Sequence, residues 1–222
     1  MEKLTRHQVL KLLETKDQIS GYDLSGIDLS GLDLIGVDFR SSWLKGTNLS
    51  KSNMSGAVFD DIDLTGCDMS SSNFTAARFR KAGLEGCDLT FSTFTGADFS
   101  GADLKQADFT NSKLTGADFH GVDLSEANLQ MTDAGTVRLA GARLFRANFR
   151  GANMIAADLS GADLRGAMLH GTDLNLANLR SADLREAKIL EVSFIGADLR
   201  AADMRGAVVS GTDLTRARQD DE

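Results

Sequence analysis

The chain has 222 residues, with 24 basic and 32 acidic side chains and a formal net charge of −8. No run of about 18 apolar residues occurs, which argues against a membrane-spanning helix, and the two cysteines are too few for a disulfide framework. The first residues lack the apolar core of a signal peptide. The sequence therefore predicts a cytoplasmic protein with no membrane partner, and a secretion route without such a signal stays open.

The first predicted element is a short helix over residues 4–16. Thr5 and Gln8 have the spacing of a capping box, and Leu4 and Val9 stand at the flanking hydrophobic-staple positions. We interpret this helix as a lid on the end of the repeat array that follows it. A docking helix for a partner is the alternative interpretation.

A five-residue repeat occupies nearly all of the remaining chain. From Leu24 to Leu214, every fifth residue is large and apolar except Ala134, which gives 39 units without an insertion or a deletion. We call this apolar residue the centre; a small residue usually stands two before it and Asp or Asn often one before it. A period of five would spread the centres around an α-helix and alternate them across a flat strand. Each unit must therefore contain a bend that returns its centre to one interior.

A second period of twenty sets the shape of that interior. Like centres recur in columns, which include Phe39, Phe59, Phe79, Phe99 and Phe119, and also Leu64, Leu84 and Leu104. Such columns indicate that residues n and n+20 stack, so that four units form one coil of a four-sided solenoid. With coils about 4.8 Å apart, about ten coils form a rod of roughly 45–50 Å. We predict that these eight side chains form the structural core.

The repeat unit, as in Ala102-Asp103-Leu104, resembles the A(D/N)LxG-type unit of the pentapeptide-repeat family. The resemblance covers about residues 19–218 and implies an all-β solenoid, a right-handed quadrilateral β-helix. The expected domains are then a capping helix and lead-in over residues 1–18, the β-helix over 19–218, and a charged tail over 219–222. The family's functions are varied, so the resemblance transfers the fold rather than an activity.

No constellation of residues for catalysis, for a cofactor or for a metal is found, and we predict a non-enzymatic protein. The inward serines have no histidine, lysine or acid beside them that could activate them. Cys67 and Cys87 align in one column and are predicted to be free thiols in the core. The aspartates that precede the centres are interpreted as turn formers, because Asp bonds to neighbouring backbone groups.

A stripe of arginines beyond residue 140 raises the possibility of nucleic-acid binding. Arg165, Arg185 and Arg205 fall in one column. Beside them stand three aspartates, Asp163, Asp183 and Asp203. We expect ion pairs to occupy these arginines, and so we predict no direct contact with nucleic acid.

The predicted function is protein binding or scaffolding through the outer faces of the rod. Apolar residues at outward positions, together with one centre near the C-terminal end, are the candidate partner-binding residues: Trp43, Phe91, Phe145, Met168, Leu190, Val208 and Val209. One alternative is a DNA-mimicking modulator of a type II topoisomerase, because some members of the family that confer quinolone resistance resemble DNA in size and charge. A secreted effector adaptor is a further alternative.

The C-terminal coils are predicted to join two copies of the chain. Gln219 stands where the next apolar centre is expected, so the repeat stops after Leu214. No apolar helix covers the last coil, and an open solenoid end exposes core and unpaired backbone. Relatives in the family pair through this end, and we therefore expect a homodimer joined near residues 190–214.

Overall fold

The fold is a single stack of coils joined by isolated parallel β-bridges, with one helix and one two-stranded sheet. The computed structural model describes residues 1–15 and 19–220. Helix α1 spans Arg6–Thr15, strand β1 spans Lys188–Leu190 and strand β2 spans Val208–Ser210. Most coils contribute only one bridging residue per side because the chain bends again within each unit.

Parallel bridges join residues that are twenty positions apart, as the period predicted. They form four ladders, one on each side of the coil, and we number the sides as faces. Face 1 runs from Lys3 to Asp203, face 2 from Asp28 to Val208, face 3 from Asp33 to Ser193 and face 4 from Asp38 to Arg218. The prediction of a four-sided solenoid is confirmed. Its right-handed sense stays a prediction that the family resemblance carries.

Asp and Asn side chains hold the bends in place. The Asp88 carboxylate accepts a hydrogen bond from the Thr90 N–H at 3.0 Å, and Asp108 accepts from the Thr110 N–H at 2.9 Å. The next residue along the chain takes a positive φ, for example 72° at Gly101. Glycine adopts this left-handed conformation without steric cost, which explains its frequency there. The interpretation of these aspartates as turn formers agrees with the observed contacts.

Two columns of phenylalanine fill much of the interior. In the first column, which contains Phe39, Phe59, Phe79, Phe99 and Phe119, successive rings stack with centroids 4.6–4.9 Å apart. A second column, which the sequence analysis did not identify, places Phe74 on Phe94 at 5.0 Å, and Phe94 meets Phe79 edge-on at 6.1 Å. Leu64, Leu84 and Leu104 are also fully buried. The eight residues predicted as core therefore lie inside.

Inward hydroxyl groups bond to the backbone of the preceding coils. The Ser72 hydroxyl donates to the Leu49 carbonyl at 3.0 Å and accepts from the Ser52 N–H at 3.1 Å. The thiols of Cys67 and Cys87 likewise donate to the carbonyls of Leu44 and Leu64, each at 3.0 Å. These polar side chains are satisfied inside the rod and are not available for reaction.

Both cysteines should resist a thiol reagent in the folded protein and react once it is unfolded. They are free and buried, and burial raises the pKa of each thiol to about 12, so almost no reactive thiolate exists at neutral pH. The measurement is labelling with a chromogenic disulfide reagent with and without denaturant. Rapid labelling of both thiols in the folded protein would contradict their position in the core.

The N-terminal end of the rod is covered by the lead-in and helix α1. Lys3 bridges Asp23, so the ladder of face 1 begins ahead of the helix, and the predicted capping box forms between Thr5 and Gln8. The Arg6 guanidinium donates to the carbonyls of Asp28 and Ser30, both at 2.8 Å. The predicted helix start at residue 4 is two residues early, since α1 begins at Arg6. Residue 16 lies outside the described residues.

The C-terminal end is less covered. Arg218 continues the ladder of face 4 by bridging Asp198, and the Asp220 carboxylate accepts from the Ala201 N–H at 2.8 Å. On the other sides, no hydrogen bond reaches the N–H groups of Val209 and Leu214 from the residues that the structure describes. The Val209 side chain, a centre, is 41% exposed. The last coil thus presents both core and backbone.

Candidate interaction surfaces

Ion pairs neutralise much of the charge on face 1. Arg165, Arg185 and Arg205 each form a two-pronged contact with the aspartate two residues earlier, with closest distances of 2.6–2.7 Å. Arg165 also lies 3.7 Å from Asp183 on the next coil. Hydrogen bonds from Arg205 lower the pKa of Asp203 to about 2. The predicted pairing of this arginine stripe is therefore observed.

Ion pairs also neutralise much of the charge on face 4. Arg40 contacts Asp38 at 2.6 Å, and Arg80 contacts Asp98 at 2.5 Å on a later coil.

Face 2 differs, because Asp68, Asp88 and Asp108 stack on three successive coils without an ion pair among the described residues. Three free carboxylates therefore lie one above the other on the middle of face 2.

Face 3 is polar, and its ladder has no net charge between Asn73 and Asn153. Amide side chains bond from coil to coil: Asn73 donates to Asn53 at 3.3 Å, and Asn153 donates to Asp133 at 3.1 Å. Lys113 is the one basic residue in its ladder, which also contains Asp33, Asp133 and Asp173, and within the described chain no ion pair forms on this face. From residue 73 to residue 153 the ladder holds two charged residues in five, fewer than the adjoining stretches of the other three faces.

Exposed apolar side chains lie along both corners that bound face 3. Phe91 and Met131 stand at the corner with face 2, and Ile155, Leu176 and Ile195 stand at the corner with face 4. Leu176 is 65% exposed, and its Cδ2 lies over Gly196. A Cβ atom at residue 196 would be only 2.9 Å from that Cδ2. Ile155, Leu176 and Ile195 occupy three successive coils and form one rim, whereas the coil of Asn111 separates Phe91 from Met131 in the other. Both groups of apolar side chains border the polar strip of face 3.

A groove of about 460 Å³ opens on face 1 near the N-terminal end. Trp43, the one tryptophan of the chain, is 58% exposed and lines it together with Lys45, Asp61 and Asp63. Hydrogen bonds from Thr65 lower the pKa of the Asp63 carboxyl, so it is charged at neutral pH. The groove thus combines an aromatic surface with two carboxylates and one ammonium group.

No group of three or more histidine, cysteine, aspartate or glutamate side chains that could hold a metal ion occurs among the described residues. His170 lies 3.4 Å from Glu191 at the surface, far along the rod from the groove. The helix α1 is too short to cross a membrane, and no other helix is found in the part of the chain that the structure describes.

Eight copies of the family profile for pentapeptide repeats match the chain, the first at residues 19–50 and the last at 177–216, and together they cover most of its length. This chain belongs to the pentapeptide-repeat family. The resemblance drawn from the repeat unit is confirmed. No curated protein matches the sequence.

The chain is similar to solved structures of pentapeptide-repeat proteins. HetL, which is involved in heterocyst differentiation regulation in the cyanobacterium Nostoc sp. strain PCC 7120, is 28% identical, with 96% of each chain covered and a TM-score of 0.78. A pentapeptide repeat protein of the Arabidopsis thaliana thylakoid lumen is 38% identical over 48% of this chain and 70% of its own, with a TM-score of 0.25. QnrB1, a plasmid-mediated fluoroquinolone resistance protein, is 20% identical over 87% and 90%, with a TM-score of 0.47.

The candidate residues for partner binding on this pentapeptide-repeat protein do not form one surface. Met168 and Leu190 are half-buried, and Lys188 lies between Met168 and Val208 in the ladder of face 2, so these do not make a continuous apolar patch. The Phe145 ring is half-buried beneath Arg146, whose guanidinium lies 4.9 Å from its centroid.

Two of the other candidates fall on the surfaces described above: Phe91 belongs to a rim of face 3 and Trp43 to the groove. The corner residues Ile155, Leu176 and Ile195 were missed by the sequence analysis. The period of twenty could have found them. Ile155 and Ile195 lie in one column with Asn175 between them, and Leu176 directly follows Asn175.

Proposed function

We propose that this protein is a non-enzymatic, protein-binding rod of the cytoplasm, and that it binds its partner through face 3 and the apolar rims beside it. The observation that carries the proposal is the conformation and exposure of the rim residues. Leu176 is 65% exposed with a φ of 61°, and Phe91 is 64% exposed with a φ of 56°. Their side chains neither fill the core nor suit their backbone.

Three of the rim residues, Phe91, Met131 and Leu176, have a left-handed backbone that their exposed side chains do not stabilise. A left-handed residue other than glycine is disfavoured by roughly 1–2 kcal/mol, and glycine occupies the equivalent position in many coils, as at Gly116. Large apolar side chains in solvent add nothing to folding stability. Aromatic and methionine side chains are enriched at protein interfaces, and the part of the strip between residues 73 and 153 carries no net charge.

The likeness to HetL supports a regulatory setting for this binding. It extends over 96% of both chains, and HetL takes part in regulating a differentiation process. A rod with no reaction to perform can regulate by occupying a surface of another protein. We therefore propose that the partner is a protein whose activity or assembly changes when face 3 is bound.

Substitution at the rim should reduce partner binding without unfolding the rod. We expect Leu176→Asn together with Ile195→Thr to weaken partner binding at least about 30-fold, as loss of buried apolar anchors typically does. Asparagine tolerates the left-handed backbone of residue 176, so the melting temperature should not fall. The measurement is quantitative affinity capture from the source cells, followed by titration of the captured partner.

The matched control for the rim is Thr115→Asn, at the same corner on an earlier coil that carries no exposed aliphatic residue. This variant should bind the partner as the wild type does. A partner that binds the rim variant and the wild type equally would contradict the assignment to face 3. Capture of no specific partner at all would contradict the binding function itself.

We also propose that two copies of the rod join at the C-terminal coil. The support is the exposed centre Val209, beside the open backbone edge of strand β2. Two-fold pairing of identical ends would cover both. This arrangement leaves face 3 of each copy free along its length, so it is compatible with partner binding.

Modulation of a type II topoisomerase by DNA mimicry is the second candidate function. The observation that favours it is the column of unpaired carboxylates at Asp68, Asp88 and Asp108, which is spaced by one coil and therefore by about 4.8 Å. The ion pairs on faces 1 and 4 reduce the free charge elsewhere, which places this candidate second. A supercoiling assay with purified gyrase tests it: inhibition that is lost in a triple Asp→Asn variant of this column would favour mimicry over binding at face 3.

A further inference from the structure

The ladder of face 1 is interrupted at the Trp43 groove. Bridges join Asp23 to Trp43 and Asp63 to Gly83, but none joins Trp43 to Asp63. Within the part of the chain that the structure describes, no hydrogen bond reaches the Leu44 N–H or the Asp63 carbonyl, which the pattern of the other coils would join. The Asp63 N–H and the Ser42 carbonyl also lack their expected bond. Two main-chain carbonyls are therefore left without partners beside the groove.

A bulky inward residue lies at the opening. Ile62 occupies a position at which the following coils carry the alanines Ala82 and Ala102, and its side chain is buried directly beneath Ser42. The ladder closes again at the next contact, where the Gly46 N–H donates to the Thr65 carbonyl at a stretched 3.2 Å. The two coils are thus open only over a short stretch beside the branched Ile62 side chain.

The groove offers the groups that a guanidinium recognises. Unpaired carbonyl oxygens and the carboxylates of Asp61 and Asp63 are acceptors, and the exposed Trp43 indole provides a face for stacking. Asp61 and Asp63 outnumber the one basic lining residue, Lys45, so the local charge favours a cation. A lysine ammonium could use the charge, but it is a compact point charge and does not stack in the manner of a planar guanidinium.

Both parts of this recognition already occur elsewhere on the same rod. At the N-terminal end, the guanidinium of Arg6 binds two carbonyls of an open coil edge at 2.8 Å, with the Asp28 carboxylate 3.6 Å away. On face 1, the guanidinium groups of Arg146 and Arg165 lie 4.9 and 5.8 Å from the Phe145 ring centroid. The groove presents both features together, and among the described residues no arginine lines it.

We propose that the Trp43 groove is a binding pocket for an arginine side chain of a partner protein. The guanidinium stacks on the indole and donates hydrogen bonds to the unpaired carbonyls and to the carboxylates of Asp61 and Asp63. This inference rests on the proposed protein-binding function and adds a second, charge-specific contact that is distinct from face 3.

The test uses Trp43 as its own reporter, because the chain has one tryptophan. Titration with N-acetyl-arginine amide should change the indole emission saturably, with a dissociation constant on the order of 1 mM. The citrulline analogue has the same shape without the charge, and it should bind at least about ten-fold more weakly. Asp61→Asn with Asp63→Asn should weaken arginine binding by a similar factor. The charge-matched control, Asp163→Asn with Asp183→Asn, lies further along face 1 and should leave binding unchanged.

The variant Ile62→Ala tests the open ladder separately from the charges. It should close the coils, slow hydrogen exchange at the Leu44 amide and abolish the arginine response while Trp43 and both carboxylates remain. An equal response to arginine and citrulline, no saturable response, or full binding by a variant with a protected Leu44 amide would each overturn the proposal. A failed titration beside successful partner capture through face 3 would remove the groove inference alone.

Discussion

Phe79→Ala should lower the free energy of unfolding by about 3–5 kcal/mol, the typical cost of removing a fully buried phenylalanine. The Phe79 ring stacks on Phe59 at 4.9 Å and on Phe99 at 4.7 Å, and it meets Phe74 and Phe94 in the second column. Hydrogen bonds on all four sides fix the coil spacing. The walls therefore cannot collapse into the cavity, and the loss should lie toward the upper part of that range.

Phe91→Ala is the matched control for this substitution. It removes the same side chain from a corner where the ring is 64% exposed, and it should change the free energy of unfolding by less than about 0.5 kcal/mol. Both variants are compared with the wild type by denaturant melts followed by circular dichroism. A loss below about 1 kcal/mol for Phe79→Ala would show that the phenylalanine column does not support the core.

The sequence was sufficient to predict the interior because one geometric rule governs it. Every centre must point into the same interior after five residues and stack on its like after twenty, so the position of Phe79 beneath Phe99 follows from counting. The second aromatic column was missed although the same rule contains it, since Phe74 and Phe94 are also twenty residues apart. The inward serines were predictable for the same reason, because each hydroxyl meets a repeated backbone group.

The surfaces were less predictable because an outward position has no such rule. Met168 and Val208 share a face and suggested a patch, but the side chain between them is Lys188. Phe145 counts as an exposed aromatic in the sequence, whereas Arg146 covers it in the structure. The opening at Trp43 depends on small shifts in coil spacing, and a pattern of residue types does not specify distances of that size.

The wild-type chain should behave as a dimer in solution, with about twice the 23.8 kDa mass of one copy, and Val209→Asp should return it to a monomer. The centres equivalent to Val209 in the other coils, such as Ile189, are buried, whereas Val209 is 41% exposed. A second copy placed end to end would bury this side chain and pair the open N–H groups of the last coil.

An aspartate at residue 209 should prevent this association because an unpaired carboxylate would have to enter the apolar contact. The Val209→Asp variant should still fold, because only the last coil is changed and each coil of a solenoid contacts mainly its neighbours. Ile35→Asp provides the matched control: it adds the same charge at an exposed aliphatic residue near the other end of the rod, and it should remain dimeric. The measurement is light scattering across a range of concentrations. A monomeric wild type at about 100 μM would rule out this contact, as would a Val209→Asp variant that stays dimeric, because a stable dimer with a dissociation constant near 1 μM is almost fully associated there.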